Sequence, residues 1–431
     1  MKILDWNELN EAERTEALQR PEQRADEKLQ AAVRAIIAQV RQEGWEGLCS
    51  IARRIDGHEP QCVEVTPIAA QARRSIDSQT LEAIELAART IRTFHEASIP
   101  DDLSVETLPG LIVRKLWRPI DRVGIYVPGG KTPLFSTLLM LAIPASVAGA
   151  RELVVVTPPG PDGGLDPIIA LAAEISGVET IWTVGGAQAI AALAFGAGPI
   201  GEADKICGPG NAWVAEAKRL VSCIPGGPAI DMPAGPSELM VIADHSADRE
   251  LVAADLLSQG EHDASAQVLL VTDSPRLAIE VARAVELQVT TLPRQSIARG
   301  SLSTARLIVA RDLEQASEIA NRYAPEHLSL CVEQPEQLLG LIRNAGAVFA
   351  GALAAETFGD YLAGSSHVLP TDGGARAWGG VSVYSFLKAM SVQSITPDAA
   401  RRIAEPAGLL ARLEGLEAHA RAADARLERV Q

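Results

Sequence analysis

The chain is 431 residues long, 47% hydrophobic and 22% charged, an ordinary globular composition with room for about three domains. Lys and Arg total 39 against 55 Asp and Glu, a formal charge of −16, which argues against nucleic acid or an anionic membrane as the main partner. Only 4% of residues are aromatic, too few for a base-stacking platform.

The first sixty residues read as helix. From Asp26 to Cys49, Leu29, Ala32, Val33, Ile36, Ile37 and Val40 recur at three- and four-residue spacing, an amphipathic stripe. Leu81–His95 repeats the pattern behind Ser78, a candidate cap. From Arg122 the rhythm changes. Strands at Val123–Val127, Leu153–Thr157 and Thr180–Val184 alternate with helices at Phe135–Ala148, Asp166–Ile175 and Ala187–Phe195. Strands separated by crossover helices predict a parallel sheet. After Ala234 the rhythm returns with strands at Glu238–Ile242, Gln267–Val271, Ala305–Val309 and Leu328–Val332, separated by helices. Two units of similar grain suggest an old duplication. Past Asp372 the α/β rhythm stops, and Pro397–Val430 is rich in Ala, Leu, Arg and Glu, hence helical with a narrow apolar face.

The five cysteines are scattered, with no Cys-x-x-Cys pair, so a reducing compartment is expected and a cysteine-clustered zinc site is not. The N-terminus carries no apolar signal core, and the apolar stretch Thr137–Ala150 is too short for a bilayer. A cytoplasmic protein without membrane contact is the expectation.

Gly196, Gly198 and Gly201 have dinucleotide-fingerprint spacing, but they follow a helix rather than a strand and read as a loop. Better placed are Pro128-Gly129-Gly130, Gly185-Gly186 and Gly208-Pro209-Gly210-Asn211, all at strand ends where α/β sheets bind ligands. Tight turns needing positive φ explain them equally well. Gln259 and His262 are three apart at a helix end, on one face if the helical turn continues past Gly260. Two ligands alone do not make a metal site, and a helix C-terminal histidine explains the pair more simply. Glu326-His327, just ahead of a strand, supplies two groups that move protons near neutral pH. The loop from Gly359 to His367 is dense in glycine and polar groups, as functional loops are.

Together these stretches resemble histidinol dehydrogenases. The matching motifs are Val123-Gly-Ile-Tyr-Val-Pro-Gly-Gly130, Val184-Gly-Gly-Ala-Gln-Ala-Ile190, Gly208-Pro-Gly-Asn211, Asp231-Met-Pro-Ala-Gly-Pro-Ser-Glu238 and Asp255-Leu-Leu-Ser-Gln-Gly-Glu-His262. Ala324-Pro-Glu-His-Leu328, Gly359-Asp-Tyr361 and His367-Val-Leu-Pro-Thr371 complete the set. The resemblance implies oxidation of L-histidinol to L-histidine through the aldehyde, in two NAD-dependent steps. It implies one Zn2+ per subunit held by Gln259, His262, Asp360 and His419, with Glu326 and His327 as the catalytic pair. Ser237, His367 and Glu414, together with the metal ligands and His327, would contact substrate, and Tyr126, Gln188 and Asn211 would contact NAD. His419 and Glu414 would come from the partner subunit of a homodimer with a shared active site.

The expected fold is therefore α/β: two similar, incomplete Rossmann-like domains with parallel sheets, an N-terminal helical arm (1–25) and a C-terminal helical tail (377–431) reaching the partner. Residues 26–120 and 236–376 would form the domain carrying the catalytic pair and metal ligands, and residues 121–235 the NAD-binding domain.

Overall fold

The computed structural model describes residues 1–20, 27–129, 133–232 and 235–430. Asp26, Gly130, Pro233 and Ala234, which belong to expectations above, lie outside the described residues.

Two six-stranded sheets dominate the molecule. In the first, the parallel strands Arg122–Tyr126, Glu152–Thr157, Thr180–Thr183, Lys205–Cys207 and Ala229–Ile230 are connected through helices. Numbered one to five in chain order, they lie in the spatial order 3-2-1-4-5. In the second, Glu238–Ala243, Gln267–Thr272, Arg306–Val309, His327–Cys331 and Ala347–Ala350 repeat that order, all parallel. This is the Rossmann order short of its last strand. Strands Glu238–Ala243 and Gln267–Thr272 are buried at every position, as continuous apolar runs covered by helices on both faces should be.

Residues 27–97 correct the expected grouping. Strand Cys62–Glu64 pairs antiparallel with Thr180–Thr183 on the edge of the first sheet. Helix Glu27–Ile55, kinked at Gly44 (φ 59°), packs its buried stripe of Val33, Ile36, Ile37 and Val40 on the helices Gly186–Phe195 and Ala212–Ser222. Helix Val65–Ser75 packs on Pro167–Ser176, and Ser78–Ala97 on Phe135–Ala148. Residues 27–97 thus belong with 122–230 rather than with 236–376. Periodicity shows that a helix face is buried but not against which neighbour.

The N-terminal arm is not all helix. Lys2–Asp5 is a strand added in parallel to Arg306–Val309 at the edge of the second sheet. Helix Glu11–Ala17 follows, closed by a capping box between Asn10 and Glu13. The C-terminal tail is likewise mixed. Leu387–Ile395 pairs antiparallel with Leu111–Pro119, which pairs with Leu103–Leu108. These strands are largely exposed, so they lack the alternation that marks a half-buried strand in sequence. Beyond them, helices Pro397–Leu413 and Glu417–Val430 form a hairpin packed on itself. Helix Ser78–Ala97 is capped by Asp77, not Ser78. Gly196, Gly198 and Gly201 lie in a loop after a helix, as expected. Among the described residues no helix is long and apolar enough to cross a membrane.

Candidate active site

A cavity of about 190 Å³ lies where the two sheets meet. From the first sheet it takes Gly208 and Pro209, beyond the carboxyl end of strand Lys205–Cys207. That strand and Arg122–Tyr126 flank the point where the strand order reverses, the usual ligand crevice of an open α/β sheet. The second sheet contributes its opposite end. Ser237, Glu326 and His327 sit at the amino ends of strands Glu238–Ala243 and His327–Cys331. Gln259 enters from the last turn of helix Arg249–Gly260. The turn does continue past Gly260: Glu261 is right-handed helical and the His262 N–H donates to the Gln259 carbonyl at 3.2 Å. His262 joins Gln259 in the cavity wall, with Asp360 from the short helix Glu356–Tyr361 and His367 from the loop after it.

His327 is 4% exposed and its geometry fixes the tautomer. Its Nδ1 lies 3.1 Å from the Glu238 carbonyl oxygen. A carbonyl only accepts, so Nδ1 carries the proton and Nε2 keeps its lone pair. Nε2 has no hydrogen-bond partner and lies 3.7 Å from Asp360 Oδ1. Burial pushes the imidazole down to about 3, so it is neutral, with the Nε2 lone pair unprotonated. The ring stacks on Phe349, centroids 5.9 Å apart. Glu326 Oε2 accepts from the Glu238 N–H at 2.8 Å and sits 3.5 Å from His327 Nδ1. One peptide unit of Glu238 therefore grips one side chain and the next grips the other. Burial raises the Glu326 carboxyl well above its usual range, which makes its anion a stronger base. Asp360 is pushed up to about 7 by burial.

His367 bridges the sheets. Its Nδ1 lies 3.1 Å from the Asp360 carbonyl oxygen and its Nε2 3.1 Å from Thr137 Oγ1 on helix Phe135–Ala148. Burial pushes this imidazole down to about 4. The opposite wall is held by a buried ion pair between Lys218 and Asp231. Lys218 Nζ donates to the Gly208 carbonyl at 2.8 Å, and the Gly208 N–H donates to Asp231 Oδ2 at 2.7 Å.

The structure thus brings seven predicted residues into one cavity: Ser237, Gln259, His262, Glu326, His327, Asp360 and His367. It leaves Glu414 and His419 outside, exposed on the C-terminal hairpin. Tyr126, Gln188 and Asn211 gather separately at the carboxyl side of the first sheet. Tyr126 ends a strand, Gln188 is in the first turn of helix Gly186–Phe195, and Asn211 caps helix Ala212–Ser222. Tyr126 is 3% exposed, its hydroxyl accepts from the Gly186 N–H at 3.3 Å, and burial pushes it up to about 12. Gln188 is fully buried, donates through Nε2 to Asp56 at 3.0 Å and leaves Oε1 unpartnered.

One site residue is missing from the sequence reading. Glu356 is 2% exposed, with both carboxyl oxygens buried and without a hydrogen-bond partner. Its Oε1 is 3.6 Å from His327 Nδ1. Glu356, His327 and Asp360 each place one donor atom within 4.8 Å of the others. The signal was the four-residue spacing of Glu356 and Asp360, which puts both carboxyls on one helix face.

Two sheets of Rossmann strand order that meet at a buried carboxyl–imidazole pair define a two-domain α/β enzyme with acid–base machinery at its seam. Comparisons with known proteins agree and are more specific. The family profile for histidinol dehydrogenase matches residues 18–427. The histidinol dehydrogenase of Xylella fastidiosa (strain 9a5c) is 47% identical over 428 residues, 99% of each chain. That of Mannheimia succiniciproducens is 44% identical over 432 residues, the whole of both chains. A crystal structure of histidinol dehydrogenase from Elizabethkingia anophelis superposes with a TM-score of 0.95 at 39% identity, covering 100% of this chain and 98% of that one. The chain belongs to the histidinol dehydrogenase family, NAD-dependent oxidoreductases of histidine biosynthesis.

Proposed function

We propose that the cavity performs both oxidations, L-histidinol to the aldehyde and the aldehyde to L-histidine, with one zinc ion per subunit held by Gln259, His262, Asp360 and His419 of the partner subunit. The observation that carries the metal assignment is Gln259. Its amide is fully buried at the cavity wall, and neither Oε1 nor Nε2 has a hydrogen-bond partner. A buried, unpaired amide calls for a bound group, and oxygen and imidazole donors without thiolate suit zinc. Bound there, the metal would hold the imidazole and amino nitrogens of the substrate. NAD would accept one hydride in each oxidation.

The chain's own residues move the protons. His327 Nε2 takes the alcohol proton as the C–H bond breaks toward NAD. Glu326 takes a proton from the water that adds to the aldehyde carbon, and His327 Nε2 returns its proton to the former carbonyl oxygen, which restores the neutral imidazole. His327 Nε2 then takes the hydrate's hydroxyl proton in the second oxidation. Ser237, His367 and the partner's Glu414 place the substrate. Tyr126, Gln188 and Asn211 serve NAD at the carboxyl side of the first sheet, where the unpartnered Gln188 Oε1 and the reversed strand order support that role.

The homodimer is supported by the hairpin itself. Leu409, Leu410, Leu413 and Leu416 are exposed beside Glu414 and His419, at 61%, 66%, 85% and 42%, an apolar stripe that a second copy would cover. Five free cysteines fit a cytoplasmic location. A second metal reading is favoured by the grouping of His327, Glu356 and Asp360. Against it, Glu356 approaches Nδ1 while Asp360 approaches Nε2, and Nδ1 already donates to Glu238.

The test is NADH formation with histidinol, with and without chelator. Two NADH per histidine, loss on chelation and recovery with zinc support the proposal. Full turnover by metal-free protein overturns the metal assignment. Zinc content then separates the two donor sets: His419→Asn lowers it under the first reading and Glu356→Gln under the second.

A further inference from the structure

Arg20, at the end of the N-terminal arm, meets the carboxylate of Glu238 fork to fork. Its Nε donates to Glu238 Oε1 at 2.5 Å and its Nη2 to Oε2 at 2.7 Å. The Glu238 side chain is 1% exposed, so this guanidinium compensates a charge that water cannot reach. Nη2 also donates to the carbonyl oxygens of Tyr323 and Ala324, at 3.0 and 3.2 Å. The guanidinium lies 3.8 Å from the centre of the Tyr323 ring.

These partners are the two supports of the catalytic pair. Glu238 donates its N–H to Glu326 and accepts from His327 Nδ1 through its carbonyl. Tyr323 and Ala324 form the turn from which Pro325, Glu326 and His327 start. Ala324 is held there at φ 56°, a left-handed conformation that a non-glycine residue adopts only under restraint. One side chain from the arm therefore fixes both the residue that orients the pair and the backbone that launches it. Arg20 does not line the active-site cavity. It lines a different one, about 560 Å³ in volume, between the arm and residues 303–306.

We propose that Arg20 is a positioning residue of the active site: it clamps Glu238 to the Tyr323–Ala324 turn and thereby aims His327 Nε2 and seats Glu326, without touching substrate. The inference rests on the reading of Glu326 and His327 as the catalytic pair. A misplacement of about 1 Å in such a pair lowers turnover by about a hundredfold.

The experiment uses the full-length enzyme with histidinol and NAD. Arg20→Ala is expected to lower kcat roughly ten- to a hundredfold, with KM for histidinol and zinc content near the parent values. Methylguanidine, entering from the Arg20 cavity, is expected to restore much of the lost kcat, and Arg20→Lys to retain more than Arg20→Ala. Should Arg20→Ala fold poorly, Arg20→Ala combined with Glu238→Gln removes the uncompensated charge, and it too should show reduced kcat at unchanged KM. A kcat within twofold of the parent in these variants overturns the proposal. So does a loss confined to KM or zinc content, or one that tracks the unfolded fraction and ignores methylguanidine. His327→Asn is run alongside. If it keeps full turnover, the catalytic-pair reading fails and this inference with it. If it is inactive while Arg20→Ala is native, this inference alone fails.

Discussion

Glu356 Oε1 faces Nδ1 of His327 at 3.6 Å, while Asp360 Oδ1 faces the other ring nitrogen, Nε2, at 3.7 Å. Burial raises the Glu356 carboxyl well above its usual range, and when Nε2 takes a proton from substrate the cationic ring draws this carboxyl toward its ionised form, which in turn stabilises the cation. Glu356→Gln keeps the shape and removes the ionisable group. It is expected to lower kcat for the first oxidation by roughly ten- to a hundredfold while leaving KM for histidinol near the parent value. Steady-state NADH formation checks this. A kcat within twofold of the parent would assign Glu356 a packing role.

Glu326 and His327 are adjacent in sequence but differ in reach. His327 offers a free Nε2 to the cavity, whereas Glu326 is tethered by the Glu238 N–H. Glu326→Gln is therefore expected to spare the alcohol oxidation and slow the aldehyde oxidation by about a hundredfold or more. The readout is NADH yield approaching one per histidinol, with the aldehyde trapped by a carbonyl reagent. Equal slowing of both steps counts against a role confined to water activation.

The parallel strands were legible because buried strands and crossover helices write their own periodicity into contiguous residues. The strand from Glu238 and the helix Phe135–Ala148 show it within one or two residues of their bounds. The edges were not legible. Cys62–Glu64 is three residues long, and Leu387–Ile395 pairs with a partner more than 250 residues earlier in the chain. Its exposed faces carry no pattern. In the site, the Glu-His pair and the Gln259–His262 spacing could be read directly. Arg20 could not, because a fork-to-fork contact with Glu238 depends on two segments 218 residues apart meeting in space.

Gly208 sits at φ 126°, and a Cβ there would meet the Tyr126 carbonyl oxygen at 2.1 Å. Two backbone segments, both at the reversed strand order, touch at a place with no room for a side chain. Gly208→Ala must displace the loop from the Lys218–Asp231 pair that holds it. The expected cost is about 2 kcal/mol or more, read as a lowered Tm, together with a raised KM for NAD. An unchanged Tm would show that the loop relaxes freely.

His95 offers a pH test away from the site. It is fully buried, its Nδ1 accepts from the Val383 N–H at 3.3 Å, and its Nε2 is unpartnered. Burial pushes it from 6.5 down to about 4. Between those values the unfolded chain binds the proton and the folded chain does not, so stability falls as pH drops from 6.5 toward 4. The shift corresponds to roughly 3 kcal/mol at most. Denaturant titrations from pH 7 to 4 should show this loss in the parent and a shallower one in His95→Phe. Parallel curves would remove His95 from the acid response.

The proposal that the active site is shared between two subunits makes the sharpest prediction, because two inactive proteins should repair each other. His327 lines the cavity of its own chain, while His419 lies exposed on the hairpin outside it. His327→Asn and His419→Asn are each expected to lose nearly all turnover as pure dimers. In a mixed dimer, the site built on the His419→Asn chain has an intact His327 and receives an intact His419 from its partner. The other site is defective twice. Random exchange of equal amounts leaves half the molecules mixed, with one working site in two, so about a quarter of parental activity should return. If each hairpin instead served its own chain, every site in the mixture would lack one of the two imidazoles and no activity would return. Unfolding and refolding the two variants together, against each refolded alone, decides between these outcomes in a single absorbance trace.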